Sequence, residues 1–149
     1  MKILMIILIV IVSIAVIMLL IGLLIKKEYS VVRKVVVNKP KSMVFGYLKL
    51  LKNQNDFSVW ATMDPNMKKE FRGTDGTAGF VSAWDSQNKN VGKGEQEILK
   101  VIEGEKVNYV IRFIKPFEAT NYSTMSTSSV TENQTKVTWE FSAKMKYPM

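Results

Sequence analysis

The 149-residue chain has no histidine and no cysteine. The first absence removes imidazole bases, imidazole metal ligands and Ser–His or Cys–His nucleophile pairs. The second removes thiolate nucleophiles, zinc–thiolate knuckles, disulfides and any thioether lipid anchor. Gly-rich phosphate loops of the GxxxxGK[ST] or GxGxxG kind are missing as well. These gaps exclude most familiar enzyme mechanisms, and neither cofactor nor metal is expected. Basic residues outnumber acidic ones, 21 to 13, for a net charge of +8. They never form a run of five or six, and neither a basic helix nor a stacking motif accompanies them, so no nucleic-acid partner is expected.

Residues 3–25 carry no charge, and only Ser13 and Gly22 interrupt the aliphatics. A helix of this run is roughly 35 Å long, enough to cross a hydrocarbon core of about 30 Å. The apolar stretch exceeds that of an export signal, and Gly22 to Lys27 offers no small-x-small cleavage site. Residues 1–27 therefore read as an uncleaved anchor of a single-pass membrane protein. Lys2 precedes the run, whereas Lys26, Lys27, Arg33, Lys34, Lys39 and Lys41 follow it. The positive-inside bias then places the remaining domain on the cytoplasmic side. Lys26 and Lys27 suit anionic headgroups, although lysines beside a span mostly just anchor it.

Residues 28–149 read as one domain. The β-branched run 29–38 predicts a strand, stopped by Asn38, Lys39 and Pro40. Pro40 suits a helix start, and Val44, Tyr47, Leu48 and Leu51 recur at helical spacing, so residues 40–51 predict a short amphipathic helix. Phe57 and Trp60 predict a second, one-turn helix, capped by Asp56. Short strands follow at 67–72, 79–85, 92–102, 107–114 and 119–130, with Gly73-Thr74-Asp75-Gly76 read as a hairpin turn. In the last strand Val137, Trp139, Phe141, Ala143, Met145 and Tyr147 alternate with polar residues. Period two means one buried face and one wet face, the signature of an antiparallel sheet.

This order resembles the SRPBCC superfamily, also called START-like or helix-grip, and within it the polyketide cyclase/dehydrase-like branch. The similarity runs over residues 29–147. It rests on Val36-Val37-Asn38-Lys39-Pro40-Lys41, on Val44-Phe45 and Tyr47-Leu48, and on Trp60. The blocks Met63-Asp64-Pro65-Asn66-Met67, Gly73-Thr74-Asp75-Gly76-Thr77 and Val91-Gly92-Lys93-Gly94-Glu95-Gln96-Glu97-Ile98 also match. The resemblance implies an α+β fold in which a curved antiparallel sheet grips a long C-terminal helix around a hydrophobic cavity. It implies binding of lipids, sterols, polyketides or other apolar molecules, with cyclisation or dehydration in a few members. The family's helix follows the last strand, whereas this sequence stops at Tyr147-Pro148-Met149. Leaving several aromatics uncovered would forfeit several kcal/mol, since apolar area is worth about 25 cal/mol per Å². The expectation is therefore a C-terminally incomplete domain, or a sheet covered by another chain or by lipid.

Trp60, Phe71, Phe80, Trp84, Tyr109, Phe113, Trp139 and Phe141 are the candidates to line a cavity; the plainer alternative is that they fill a core. Asp64, Glu70, Asp75 and Asp85 are the carboxylates nearest the helix-to-sheet crossover, and Asp64, Glu70 and Asp85 are the weak candidates for acid–base work. Asp64 before Pro65 and Asp75 before Gly76 are more simply turn residues. Tyr109 and Tyr122 could hydrogen-bond a ligand carbonyl, and Arg112 reads as solvated. Three functions remain open: a membrane-anchored module binding a hydrophobic small molecule or lipid, a cofactor-independent cyclase or dehydratase, and a structural or partner-binding domain with a filled core.

Overall fold

The computed structural model describes residues 2–24 and 28–144, side chains at 2–21 and 28–143. It divides into two compact units, one ending at Glu28 and one spanning Tyr29–Lys144. The first is helix α1, Lys2–Leu24. Its 20-residue stretch Lys2–Ile21 has a mean hydropathy of 3.6, and none of it is buried. It is long and apolar enough to cross a membrane, and near enough to the N-terminus to serve as a signal sequence. Lys26 and Lys27, assigned above to headgroups, lie outside the described residues, as do Met145 and Tyr147.

Strand β1, Glu28–Val37, leads into the second unit, as the β-branched run predicts. Pro40 precedes α2, Lys41–Leu48, and its carbonyl accepts from the Met43 and Val44 amides. The expected helix to Leu51 is broken at Leu50, which is extended (φ −80°, ψ 110°). A 3-10 turn at Leu51–Asn53, then α3 (Gln54–Phe57) and α4 (Val59–Met63), complete the helical segment. Asp56 does not cap α4. It lies within α3 and accepts a 2.8 Å hydrogen bond from the Tyr47 hydroxyl.

Six strands follow: β2 Lys68–Arg72, β3 Val81–Asp85, β4 Lys93–Ile102, β5 Lys106–Lys115, β6 Ala119–Thr131 and β7 Gln134–Lys144. They form one curved sheet with β1, in the order β1-β7-β6-β5-β4-β3-β2. The consecutive pairs from β2 to β7 are antiparallel. Register shifts fall between Lys93 and Gly94, Ile98 and Lys100, and Ser129 and Thr131. Such bulges bend strands and increase their twist, which helps the sheet to coil.

The turn at Gly73-Thr74-Asp75-Gly76 does not close a tight hairpin. β2 and β3 pair across the whole segment between Arg72 and Val81. Asp75 instead reaches back to the 3-10 turn, accepting from the Leu51 amide at 2.7 Å and the Lys52 amide at 3.1 Å. These amides begin a turn that has no side-chain cap of its own, so the carboxylate satisfies donors that would be left over.

Val44, Phe45, Leu48 and Leu51 pack on Phe80, Ile98, Val107, Tyr109, Met125 and Val137 to make the core. The helical segment therefore covers part of one sheet face, called the inner face below. The opposite, outer face is polar. There Arg72 donates to Glu70 at 3.0 Å and Glu95 at 2.7 Å. Arg112 donates to Glu95 at 3.1 Å and Glu97 at 2.7 Å. Arg112 is thus ion-paired in a ladder across β2, β4 and β5 rather than simply solvated. The Glu97 carboxylate first, and Glu95 with it, favours the charged guanidinium and raises its pKa. At the sheet edges, β2 is short and fully exposed, with Lys68, Lys69, Glu70 and Arg72 among its five residues. β1 is longer, and its Val32, Val35 and Val36 are exposed.

Candidate functional site

Register fixes which side chains share the inner face. Trp84 lies opposite Gly94, which lies opposite Phe113. Tyr109 lies between Ile98 and Ser123, and Ser123 opposite Phe141. Met125 lies between Val107 and Trp139. On β2, Phe71 opposes Ser82 and stacks on Phe80 with centroids 6.2 Å apart. Seven of the eight aromatic candidates therefore stand on this one face. Trp60 is separate: it sits on α4 and is 61% exposed.

Phe71, at the edge, is 38% exposed, and the other six fall into two groups. Phe80 and Tyr109 are buried beneath the helical segment and belong to the core. Trp84, Phe113, Trp139 and Phe141 are only half-buried. Trp84 and Phe113 meet edge-on at 5.9 Å, and Trp139 stacks on Phe141 at 5.7 Å. Phe141 also contacts Tyr29 of β1. Both pairings have the geometry that aromatic quadrupoles favour. The Trp84 indole N–H donates to the Val91 carbonyl at 3.3 Å. Gly94 makes room for the indole: a Cβ there would stand 2.6 Å from Trp84 Cζ2 and 2.6 Å from the Arg112 carbonyl oxygen.

The inner face also carries polar groups that sequence reasoning missed. Asn121 and Ser123 are buried, at 7% and 3% exposure. Asn121 Oδ1 and Ser123 Oγ have no hydrogen-bond partner among the described residues, whereas the Tyr109 hydroxyl lies beside the Gln54 side chain. Thr127 and Thr135, on the same face, are satisfied: Thr127 donates to the Gly104 and Glu105 carbonyls, and Thr135 to the Lys39 carbonyl at 2.8 Å. Burial pushes the Tyr109 phenol well above the ordinary tyrosine range, with the nearby Gln54 side chain pulling the other way. β6 is so rich in Ser and Thr that its buried polar positions gave no sequence signal. Only the alternation of its neighbours β5 and β7 could have found them.

The carboxylate candidates stand elsewhere. Glu70 pairs with Arg72 on the outer face. Asp85 pairs with Lys93 at 2.8 Å, and this hydrogen bond holds its carboxyl below the usual carboxylate range. Asp64 accepts from the Asn66 amide and from the Ser86 hydroxyl. The structure does not bring Asp64, Glu70 and Asp85 onto the inner face with the aromatics. Tyr122 is exposed on the outer face. Among the described residues no cluster of carboxylates could hold a metal ion.

No protein-family model matches this sequence, and no curated protein does. Solved structures do match the fold. Norcoclaurine synthase of Thalictrum flavum, solved with a transition-state analogue, superposes with a TM-score of 0.62 at 11% identity, over 80% of this chain and 77% of its own. A Nitrosospira multiformis protein from structural genomics superposes with a TM-score of 0.57 at 19% identity, over 81% of each chain. The di-domain ARO/CYC protein BexL of the BE-7585A biosynthetic pathway gives 0.56 at 14% identity, over 80% of this chain and 37% of its own. The sheet and its opening helices have the helix-grip architecture of the START-like, SRPBCC proteins. At these identities the likeness is one of fold.

Proposed function

We propose that this chain is a membrane-anchored binding module for a hydrophobic small molecule or lipid, taken up on the inner face of the sheet. The carrying observation is the half-buried aromatic surface of Trp84, Phe113, Trp139 and Phe141 beside a core that is already packed. Large apolar side chains left partly in water, next to a few buried polar atoms, make the kind of surface that apolar ligands cover. Helix α1 supports a location at a bilayer, from which such a ligand would partition, and the basic residues after it favour a cytoplasmic domain. The helix-grip structures it resembles include a synthase solved with a transition-state analogue, which agrees with small-molecule binding by this fold. A cyclase or dehydratase finds less support, because Asp64, Glu70 and Asp85 are engaged away from the aromatics.

The test is native mass spectrometry of the full chain released from nanodiscs of cell-derived lipid. Bound apolar mass, lost on Trp139→Ala or Phe113→Ala, is expected. Bare protein after every gentle release would instead favour a structural or partner-binding domain. Alkaline carbonate extraction checks the anchor: the full chain should stay with the membrane pellet.

A further inference from the structure

One end of the sheet gathers exposed groups that ligand binding on the inner face leaves unused. Register lines up Lys68 of β2, Asp85 of β3, Lys93 of β4 and Lys115 of β5 there. Phe113 opposite Ala119, and Tyr122 opposite Ser142, continue the row to the start of β6 and the end of β7. Asn38 and Lys39, which follow β1, accept hydrogen bonds from Gln134 and Thr135 at the start of β7. Strand β1 therefore ends at the far end of the sheet and starts at this one, with the Tyr29 ring 6.3 Å from that of Phe141. Three loops close this end and hold one another. The Ser86 hydroxyl donates to Asp64, joining the first loop to the second. Gly92 of the second loop lies so close to the Lys115 carbonyl oxygen that a Cβ would stand 2.1 Å from it.

What these loops expose is apolar at the tips and basic around them. Phe117, between β5 and β6, is 66% exposed. Met63 and Trp60 are exposed on α4, whose C-terminal neighbour is the Asp64 held by Ser86. The stretches 64–69, 85–93 and 115–118 carry five lysines against three carboxylates. At the far end, residues 38–40, 73–79, 103–106 and 132–133 carry four carboxylates against two lysines and no large apolar residue. Aromatic tips rimmed by lysines suit the boundary of an anionic bilayer, with rings among the headgroups and ammonium groups at the phosphates. The sequence adds a constraint. With α1 as an anchor, only residues 25–27 precede Glu28, and so short a chain reaches roughly 14 Å even when extended. That tether favours the end where β1 starts over the far end. We propose that this loop end is a second membrane contact, in which Phe117, Met63 and Trp60 enter the headgroup boundary of an anionic bilayer and Lys68, Lys89 and Lys115 meet its phosphates. The contact rests on the reading of α1 as an anchor and is independent of any ligand on the inner face.

The test uses the full chain in phosphatidylcholine vesicles with and without phosphatidylglycerol. The sequence has no cysteine, so Glu118→Cys and Asn133→Cys each accept a single nitrobenzoxadiazole label, one at each end of the sheet. Ten-residue strands such as β4 and β5 hold the two ends roughly 30 Å apart. Phosphatidylcholine brominated on its acyl chains quenches the label only at close range. Quenching at position 118 is expected to exceed that at 133 by about 3-fold or more, and to rise further with phosphatidylglycerol. Phe117→Asp should cut it by at least half. Lys89→Gln combined with Lys115→Gln should remove the phosphatidylglycerol increment; all three side chains are exposed, so the fold is expected to survive each change. Equal quenching at the two positions, or more at 133, in protein that stays with the vesicles through alkaline carbonate overturns the contact and leaves the anchor standing. A label at 118 that ignores both Phe117→Asp and the lysine changes overturns the contact too. Loss of the protein from the vesicles in carbonate overturns the anchor, and the contact falls with it.

Discussion

Replacing Gly94 with alanine probes the packing that seats Trp84. The new Cβ would sit 2.6 Å from Trp84 Cζ2, 2.9 Å from Cη2 and 2.6 Å from the Arg112 carbonyl oxygen. Ordinary contacts of this kind lie about 3.5–4.0 Å apart, so ring and strand must both yield by roughly an ångström. The indole can tilt, at the expense of its edge-on contact with Phe113 and its hydrogen bond to the Val91 carbonyl. The carbonyl belongs to the β4–β5 ladder and moves only with the backbone. Overpacking of this sort costs about 1–3 kcal/mol, and we take about 2 kcal/mol here. For a unit the size of Tyr29–Lys144 this lowers the melting temperature by about 6–10 °C. Near-UV circular dichroism of the full chain in detergent reads both the melt and the tryptophan environment. In a Trp84→Leu background the ring component of the clash disappears while the carbonyl component stays, so Gly94→Ala should then cost about half as much. A Gly94→Ala protein that melts with the parent and keeps its near-UV spectrum would refute the reasoning.

Asp75→Ala should lower stability by about 1 kcal/mol in urea unfolding, because the Leu51 and Lys52 amides lose their shared acceptor; Asp75→Asn should recover much of it. Arg112→Met should cost about 0.5–1 kcal/mol in low salt, less in 0.5 M NaCl, since the pairs with Glu95 and Glu97 are partly exposed and screened. Tyr109 is neutral in the folded domain beyond the pH at which an unfolded tyrosine ionises. Its folded pKa is raised, so stability is whole below the ordinary tyrosine value and declines as pH climbs from there toward the folded one. Spectrophotometric titration at 295 nm should show tyrosine ionisation delayed relative to denaturant, and Tyr109→Phe should remove most of that difference, leaving the smaller rise that the Asp56 hydrogen bond gives Tyr47.

Much of this domain could be read from residue order, and the reasons are local. Val137, Trp139, Phe141 and Ala143 alternate with polar residues because β7 has one covered and one wet face, and they do share the inner side. Val107, Tyr109, Ile111 and Phe113 behave likewise on β5. What escaped notice depends on contacts distant along the chain. Asp75 serves amides 24 and 23 residues away, so its neighbours present it as a turn former. The partners of Arg112 lie 17 and 15 residues away, on β4. Asn121 and Ser123 were hidden for a different reason. In a strand of mostly Ser and Thr, the buried half and the exposed half look alike.

The open ends of the sheet have a consequence for neighbouring copies of this chain. A strand approaching β2 meets charge at four of five positions, and several backbone groups are already spoken for by β3. One approaching β1 meets a longer template with a valine-rich surface, relieved by Glu28 at its start and by Arg33 and Lys34. Unpaired main-chain groups on such a rim invite edge-on pairing. Crowding would therefore drive association through the rim nearest the start of the domain, and a charge placed at Val35 should disperse it.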